Sequence, residues 1–142
     1  MVTLKISELS VGDWVVWNGR RLLISSIYSA VLGFPHEVAL IYPDGICASI
    51  VPVEDLDPIP ITPEILEANG FVKWRGGLVI IDDEVSCRYE DGDLTIERRY
   101  RDDDEGVLVE RRLVNIECLF VHQLQHALRL AGVEKEIVMP NK

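Results

Sequence analysis

Three side chains towards the C-terminus have the types and spacing of a metal or thiol site. Cys118, His122 and His126 stand at successive i, i+4 steps, so an unbroken helix would carry a thiol and two imidazoles on one stripe. Two histidines at that spacing grip zinc in the His-Glu-x-x-His arrangement, where the glutamate is the general base. Gln123 stands in the glutamate's place, which removes the metalloprotease reading. A zinc site also needs three or four converging protein ligands or nearly so. The plainer expectation is that His122 pins its helix, His126 faces solvent and no cofactor is bound. The Cys118, His122 and His126 stripe stands as the metal-protein alternative.

A second cluster, Arg98, Arg99, Arg101, Arg111 and Arg112, lies in two strand-like runs. Pairing the runs antiparallel with Ile96 opposite Leu113 and Tyr100 opposite Val109 gathers apolar side chains on one face. The other face then pairs Glu97 with Arg112 and Arg99 with Glu110, both favourable. This register also sets Arg98 opposite Arg111 on the apolar face, where like charges destabilise unless an acid neutralises them. Asp82, Asp83 and Glu84 are the internal candidates, and they are favoured. A phosphate or a partner's carboxylate is the alternative, which makes Arg98 and Arg111 candidate binding residues.

Trp14 and Trp17 are the other binding candidates. Three apart on a strand, they face opposite sides. One is expected in the core; the other is a candidate to meet a partner, though partial burial on a small barrel is the plainer and favoured expectation. No further constellation suggests catalysis. Acid pairs cannot be chosen among 24 carboxylates without geometry. Ser25-Ser26 lacks the glycines of a nucleophile elbow, and Gly76-Gly77 lacks the Lys-Ser/Thr of a phosphate loop. The chain is expected not to be an enzyme.

Composition narrows the classes further. A chain of 142 residues with 48% hydrophobic side chains can bury a core without metal or disulfide staples. Its net charge of −10 is spread: residues 1–61 hold 3 basic and 7 acidic side chains, and residues 62–142 hold 11 and 17. Neither part is a basic nucleic-acid arm, so direct nucleic-acid binding is not expected. Cys47, Cys87 and Cys118 have no paired spacing and read as reduced thiols. The N-terminus lacks a signal-peptide pattern, and no apolar run reaches the ~20 residues of a membrane span. A cytoplasmic location is expected.

The elements that must position these residues are short. Asn18-Gly19 between Asp13–Trp17 and Arg20–Ile27 predicts a hairpin, and Pro43-Asp44-Gly45 predicts another between Glu37–Tyr42 and Ile46–Val51. With a possible fifth strand at Ile59–Ile61, these runs suggest a small SH3-like β-barrel. The Gly12–Val15 opening, Gly-Asp-Trp-Val, is similar to the first strand of such barrels. Thr62 and Pro63 then start a two-turn helix that Asn69-Gly70 ends. Phe71–Trp74, Leu78–Ile81, Val85–Tyr89, Leu94–Tyr100 and Val107–Val114 form an antiparallel meander with turns at Arg75-Gly76-Gly77, Asp91-Gly92 and Asp102–Gly106. A last helix, capped by Asn115 and stopped by Gly132, packs a Phe120, Leu124, Ala127, Leu128 and Ala131 stripe on that sheet.

Two stretches carry a resemblance. Pro60-Ile61-Thr62-Pro63-Glu64-Ile65-Leu66 followed by Asn69-Gly70-Phe71 resembles a Pro-Leu-Thr-x-Glu-x-Leu-x-x-x-Gly-Phe segment, and Val121-His122-Gln123-Leu124-Gln125 resembles a Val-His-Gln-Leu-Gln helix. Both are hallmarks of an uncharacterised family of small proteins of Bacteroidetes genomes and their phages or mobile elements. The resemblance runs from Pro60 to about Gly132. It departs after Gln125, where His126, Ala127 and Leu128 replace the family's Asn and aromatic residues. It implies a phage or mobile-element context and no established activity.

The expected fold is therefore α+β: a barrel-like lobe over residues 1–61, and a sheet-plus-helix lobe over residues 62–142, packed closely. The expected role is a non-enzymatic accessory protein that binds an unknown protein partner. An acidic nucleic-acid mimic that inhibits a DNA-binding protein is the alternative, motivated by the acidic turn Asp102–Glu105.

Overall fold

The computed structural model describes residues 4–28, 36–82, 85–101 and 108–140. Over these residues the chain is α+β, with two antiparallel sheets and two α-helices. It divides into two units, Met1–Pro60 with Phe120–His122, and Ile61–Leu119 with Gln123–Lys142. The return of Phe120–His122 to the first unit has no local sequence signal. Among the described residues no helix is long and apolar enough to cross a membrane.

The first unit holds a four-stranded sheet in the order β1 (Trp14–Trp17), β2 (Arg20–Tyr28), β3 (Glu37–Ile41) and β4 (Cys47–Pro52). Asn18 and Gly19 both have positive φ, the conformation that lets a two-residue turn follow the strand twist. Gly12 and Asp13 carry the β1–β2 pairing further, because Gly12 N–H donates to Ile24 O at 2.7 Å and Ile24 N–H to Asp13 O at 3.0 Å. Val15, Leu22, Ile24, Val38, Leu40 and Val51 form the core of this unit with Leu4, Leu9, Val53 and Leu56. No pairing joins β4 to β1 among the described residues, so the sheet is an open ladder there. The expected fifth strand at Ile59–Ile61 is replaced by isolated bridges, Val16 with Asp57 and Pro60 with Phe120. Prolines at 58 and 60 remove the donors a ladder would need.

The second unit opens on α1 (Pro63–Ala68). Thr62 Oγ1 accepts from Ile65 N–H at 3.3 Å, and Pro63 takes the first helical position. The helix closes with Gly70 N–H on Glu67 O and Phe71 N–H on Leu66 O, a Schellman pattern in which Gly70 takes φ +90. Then follows a meander of β5 (Val72–Trp74), β6 (Gly77–Asp82), β7 (Val85–Glu90), β8 (Asp93–Arg101) and β9 (Leu108–Glu117), paired in that order. One face of this sheet is buried through Leu78, Val85, Cys87, Leu94 and Ile96. The last helix, α2 (Val121–Leu130), buries Leu124, Ala127 and Leu128, as its 3.6-residue spacing requires.

Two expectations need correction here. Asn115 does not cap a helix; Asn115, Ile116 and Glu117 continue β9 and pair with Thr95, Leu94 and Asp93. Helical spacing at Ile116 and Glu117 lost to pairing with β8. The helix begins five residues later, where Gln123 Oε1 reaches back to accept from Leu119 N–H at 2.9 Å. It ends as expected at Gly132, whose neighbour Val133 donates to Leu128 O at 2.9 Å. The second correction is in register. Glu97 with Arg112, Arg98 with Arg111, Arg99 with Glu110 and Tyr100 with Val109 pair as read from the sequence, but Ile96 pairs with Val114. A bulge at that step leaves Leu113 as the extra residue and half exposes it.

Candidate functional site

The residues singled out by chemistry are not brought together. Cys118 lies in the connection between β9 and α2, so it shares no helical stripe with His122 and His126. Its main chain instead ties the sheet end: Cys118 N–H donates to Gly92 O at 2.7 Å, and Cys118 O accepts from the Tyr89 hydroxyl at 2.9 Å. His122, 1% exposed, stacks on Phe120 with ring centroids 6.1 Å apart, and its Nε2 is 4.0 Å from Glu8 Oε2. That places it in the first unit's packing. His126 is half-buried. Among the described residues no three His, Cys, Asp or Glu side chains converge as a metal cage would require.

Burial pushes the Cys118 thiol up from 9.0 to about 12. Burial, then the charges of Cys118 and Asp93, likewise raises Tyr89 above 10.0. A folded thiol that stays protonated while the unfolded one ionises binds more protons in the native state, so stability falls as pH rises from about 9 towards 12. The loss is at most about 1.4 kcal/mol per pH unit from this thiol. A thiol titration at neutral pH should therefore label the exposed Cys47 quickly, and Cys87 and Cys118 only after unfolding. Rapid labelling of Cys118 in the native protein would contradict its burial.

The tryptophans and arginines follow packing rules. Trp14 is buried, and Trp17 packs half-buried against the first unit's core. Arg98 is exposed, and its Nη2 lies 3.9 Å from where a Gly132 Cβ would stand, beside the carbonyl end of α2. A helix C-terminus carries partial negative charge that favours a cation. Sequence spacing did not reveal that Arg98 stands beside this helix end. Asp83, Glu84, the acidic turn Asp102–Glu105 and the side chains of Asp82 and Arg111 lie outside the described residues.

What the sheet does assemble is an open face that the candidate residues did not include. Cross-strand pairing lays out two rows on it: Val72, Val79, Arg88, Thr95 and Asn115, then Ile81, Ser86, Glu97 and Arg112. Its β5–β6 side is apolar and exposed, with Val72 at 62%, Trp74 at 52% and Ile81 at 70%. These residues border a cleft of about 650 Å3. The other side is polar, and Glu97 meets Arg112 at 3.8 Å, an exposed pair that contributes little to stability.

Arg88 fixes the edge of this face. Its Nη1 donates to Trp74 O at 3.2 Å, its Nη2 to Arg75 O at 2.8 Å and to Glu90 Oε2 at 3.1 Å. The guanidinium carbon stands 5.5 Å from the Trp74 ring centroid, and that of Arg75 stands 4.6 Å from it. Gly77 makes this reach possible, since a Cβ there would lie 3.0 Å from Tyr89 O and 3.2 Å from Arg88 Cζ. Trp74 is therefore held in place while half its surface stays in water. The period-two spacing of Val72 with Trp74 and of Val79 with Ile81 stands in the sequence. Which face of the meander would stay open was not.

Comparison with known proteins finds no matching family model, no matching curated protein and no matching solved structure.

Proposed function

We propose that this protein acts by binding another protein rather than by catalysis, and that the open face of its five-stranded sheet is the docking surface. One observation carries the reading: Val72, Trp74 and Ile81, each more than half exposed, gather on one face beside a cleft of about 650 Å3. A contiguous exposed apolar patch rimmed by polar groups marks an interaction site more often than scattered surface hydrophobics do. The preset Trp74 supports the same reading, because an ordered aromatic loses little entropy on association.

In this reading the first unit is a scaffold related to SH3-like barrels, and the phage or mobile-element setting rests on the two sequence motifs alone. The test is capture from native-host lysate by the wild-type chain and by Ile81→Glu. A charge on a residue 70% exposed should leave the melting temperature within a few degrees. It should abolish retention of the partner. Equal retention by both chains would remove the open face from the function.

A further inference from the structure

We infer, resting on the binding role proposed above, that the partner presents an apolar segment flanked by lysine or arginine. Its cations are received by Asp93 and Glu117, which stand in a row with Glu90, an acid already paired with Arg88. Glu90 pairs with Asp93 across the β7–β8 hairpin, and Asp93 pairs with Glu117 across β8 and β9. Directly paired residues point to the same side of a sheet, so the three acids stand in register on adjacent strands. All three are exposed.

The charge on this face does not balance. Glu97 answers Arg112, and Glu90 answers Arg88. Among the described residues no cation is paired with Asp93 or Glu117. Like charges directly opposite one another weaken a strand pair, and a cation supplied from outside would relieve that cost.

Exposed acids alone would be ordinary solvated surface. Glu90 and Asp93 adjoin the apolar patch: a hollow of about 330 Å3 lined by Glu90, Asp91 and Asp93 shares Arg88 and Thr95 with the apolar cleft. A ligand that covers both needs apolar side chains for Val72, Trp74 and Ile81, and basic ones a few strand spacings away. The net charge of −10 favours the same partner at long range, since it attracts a basic segment and repels an acidic one.

A displayed library of random peptides, selected on the intact chain, tests this. Enriched peptides should combine lysine or arginine with large apolar residues. Their affinity should fall about tenfold at high salt and about tenfold in the Asp93→Asn, Glu117→Gln double variant. That variant should melt no lower than wild type, because it removes a repulsion. The salt dependence is measured on the unaltered chain and decides the matter however the variant folds. Enriched peptides that are neutral or acidic, or that bind the double variant equally well, would overturn the basic partner and leave the open-face role standing. No enrichment over a bait-free control would overturn both.

Discussion

Phe71→Ala is expected to lower the stability of the chain by about 3–5 kcal/mol, seen as a reduced denaturant midpoint at unchanged slope. Phe71 is 2% exposed and is among the largest fully buried side chains. It also occupies the position just past the helix end where a hydrophobic contact back to the last turn accompanies the Schellman bonds. Its N–H donates to Leu66 O at 3.0 Å, and Leu66 is itself buried. A six-residue helix cannot persist alone, so α1 depends on such contacts. Against a total of about 5–15 kcal/mol, the loss takes about a fifth or more of the margin. The next residue supplies the control. Val72 is exposed, and Val72→Ala should change stability by less than about 0.5 kcal/mol. Similar effects at the two positions would contradict the burial pattern.

Asn69→Ala should cost about 2–4 kcal/mol, by a different mechanism. The Asn69 amide is 5% exposed and makes three hydrogen bonds of 2.8 Å. Its Nδ2 donates to Ile65 O and Val138 O, and its Oδ1 accepts from Val138 N–H. One side chain thus caps α1 and grips the extended C-terminal segment as a neighbouring strand would. Alanine takes this partner from the Ile65 carbonyl, at a buried bond, and from the part-buried N–H and C=O of Val138, and an unpaired buried group costs more than its bond contributed. Asn69→Asp should be no better, since it keeps the acceptor and loses both donors while facing two carbonyls. Ending the chain at Ile137 removes the Val138 partner. In a double-mutant cycle the Asn69→Ala effect should then shrink to the part due to Ile65. An unchanged effect in the truncated chain would show that the grip on Val138 contributes nothing.

Asn69 shows how far the sequence could be read. Its place at a helix end followed from Asn-Gly and the preceding apolar turn. Its second role did not, because Val138 is 69 residues away and nothing local records that partner. The arginine pairing shows the same division at finer scale. Cross-strand charge matching recovered Glu97–Arg112 and Arg98–Arg111, yet the bulge one step later shifted Ile96 onto Val114. A bulge adds one residue at small local cost and leaves no periodic trace. The histidine stripe failed for a related reason. Residues 116–118 fit a helical period, but Ile116 and Glu117 pair with β8 and Cys118 N–H donates to Gly92 O, so Cys118 left the stripe.

The sequence by itself determined the α+β class, the turns at Asn18-Gly19, Arg75-Gly76 and Asp91-Gly92, both helix ends at glycine, and most of the strand order. Those features rest on backbone preferences and on periods of two or 3.6 residues, which are local. Only the tertiary structure decided which sheet face stays open, which tryptophan remains in water and which carboxylates stand in a row. Those depend on what covers each face and on register between strands, and a chain read in one dimension contains neither.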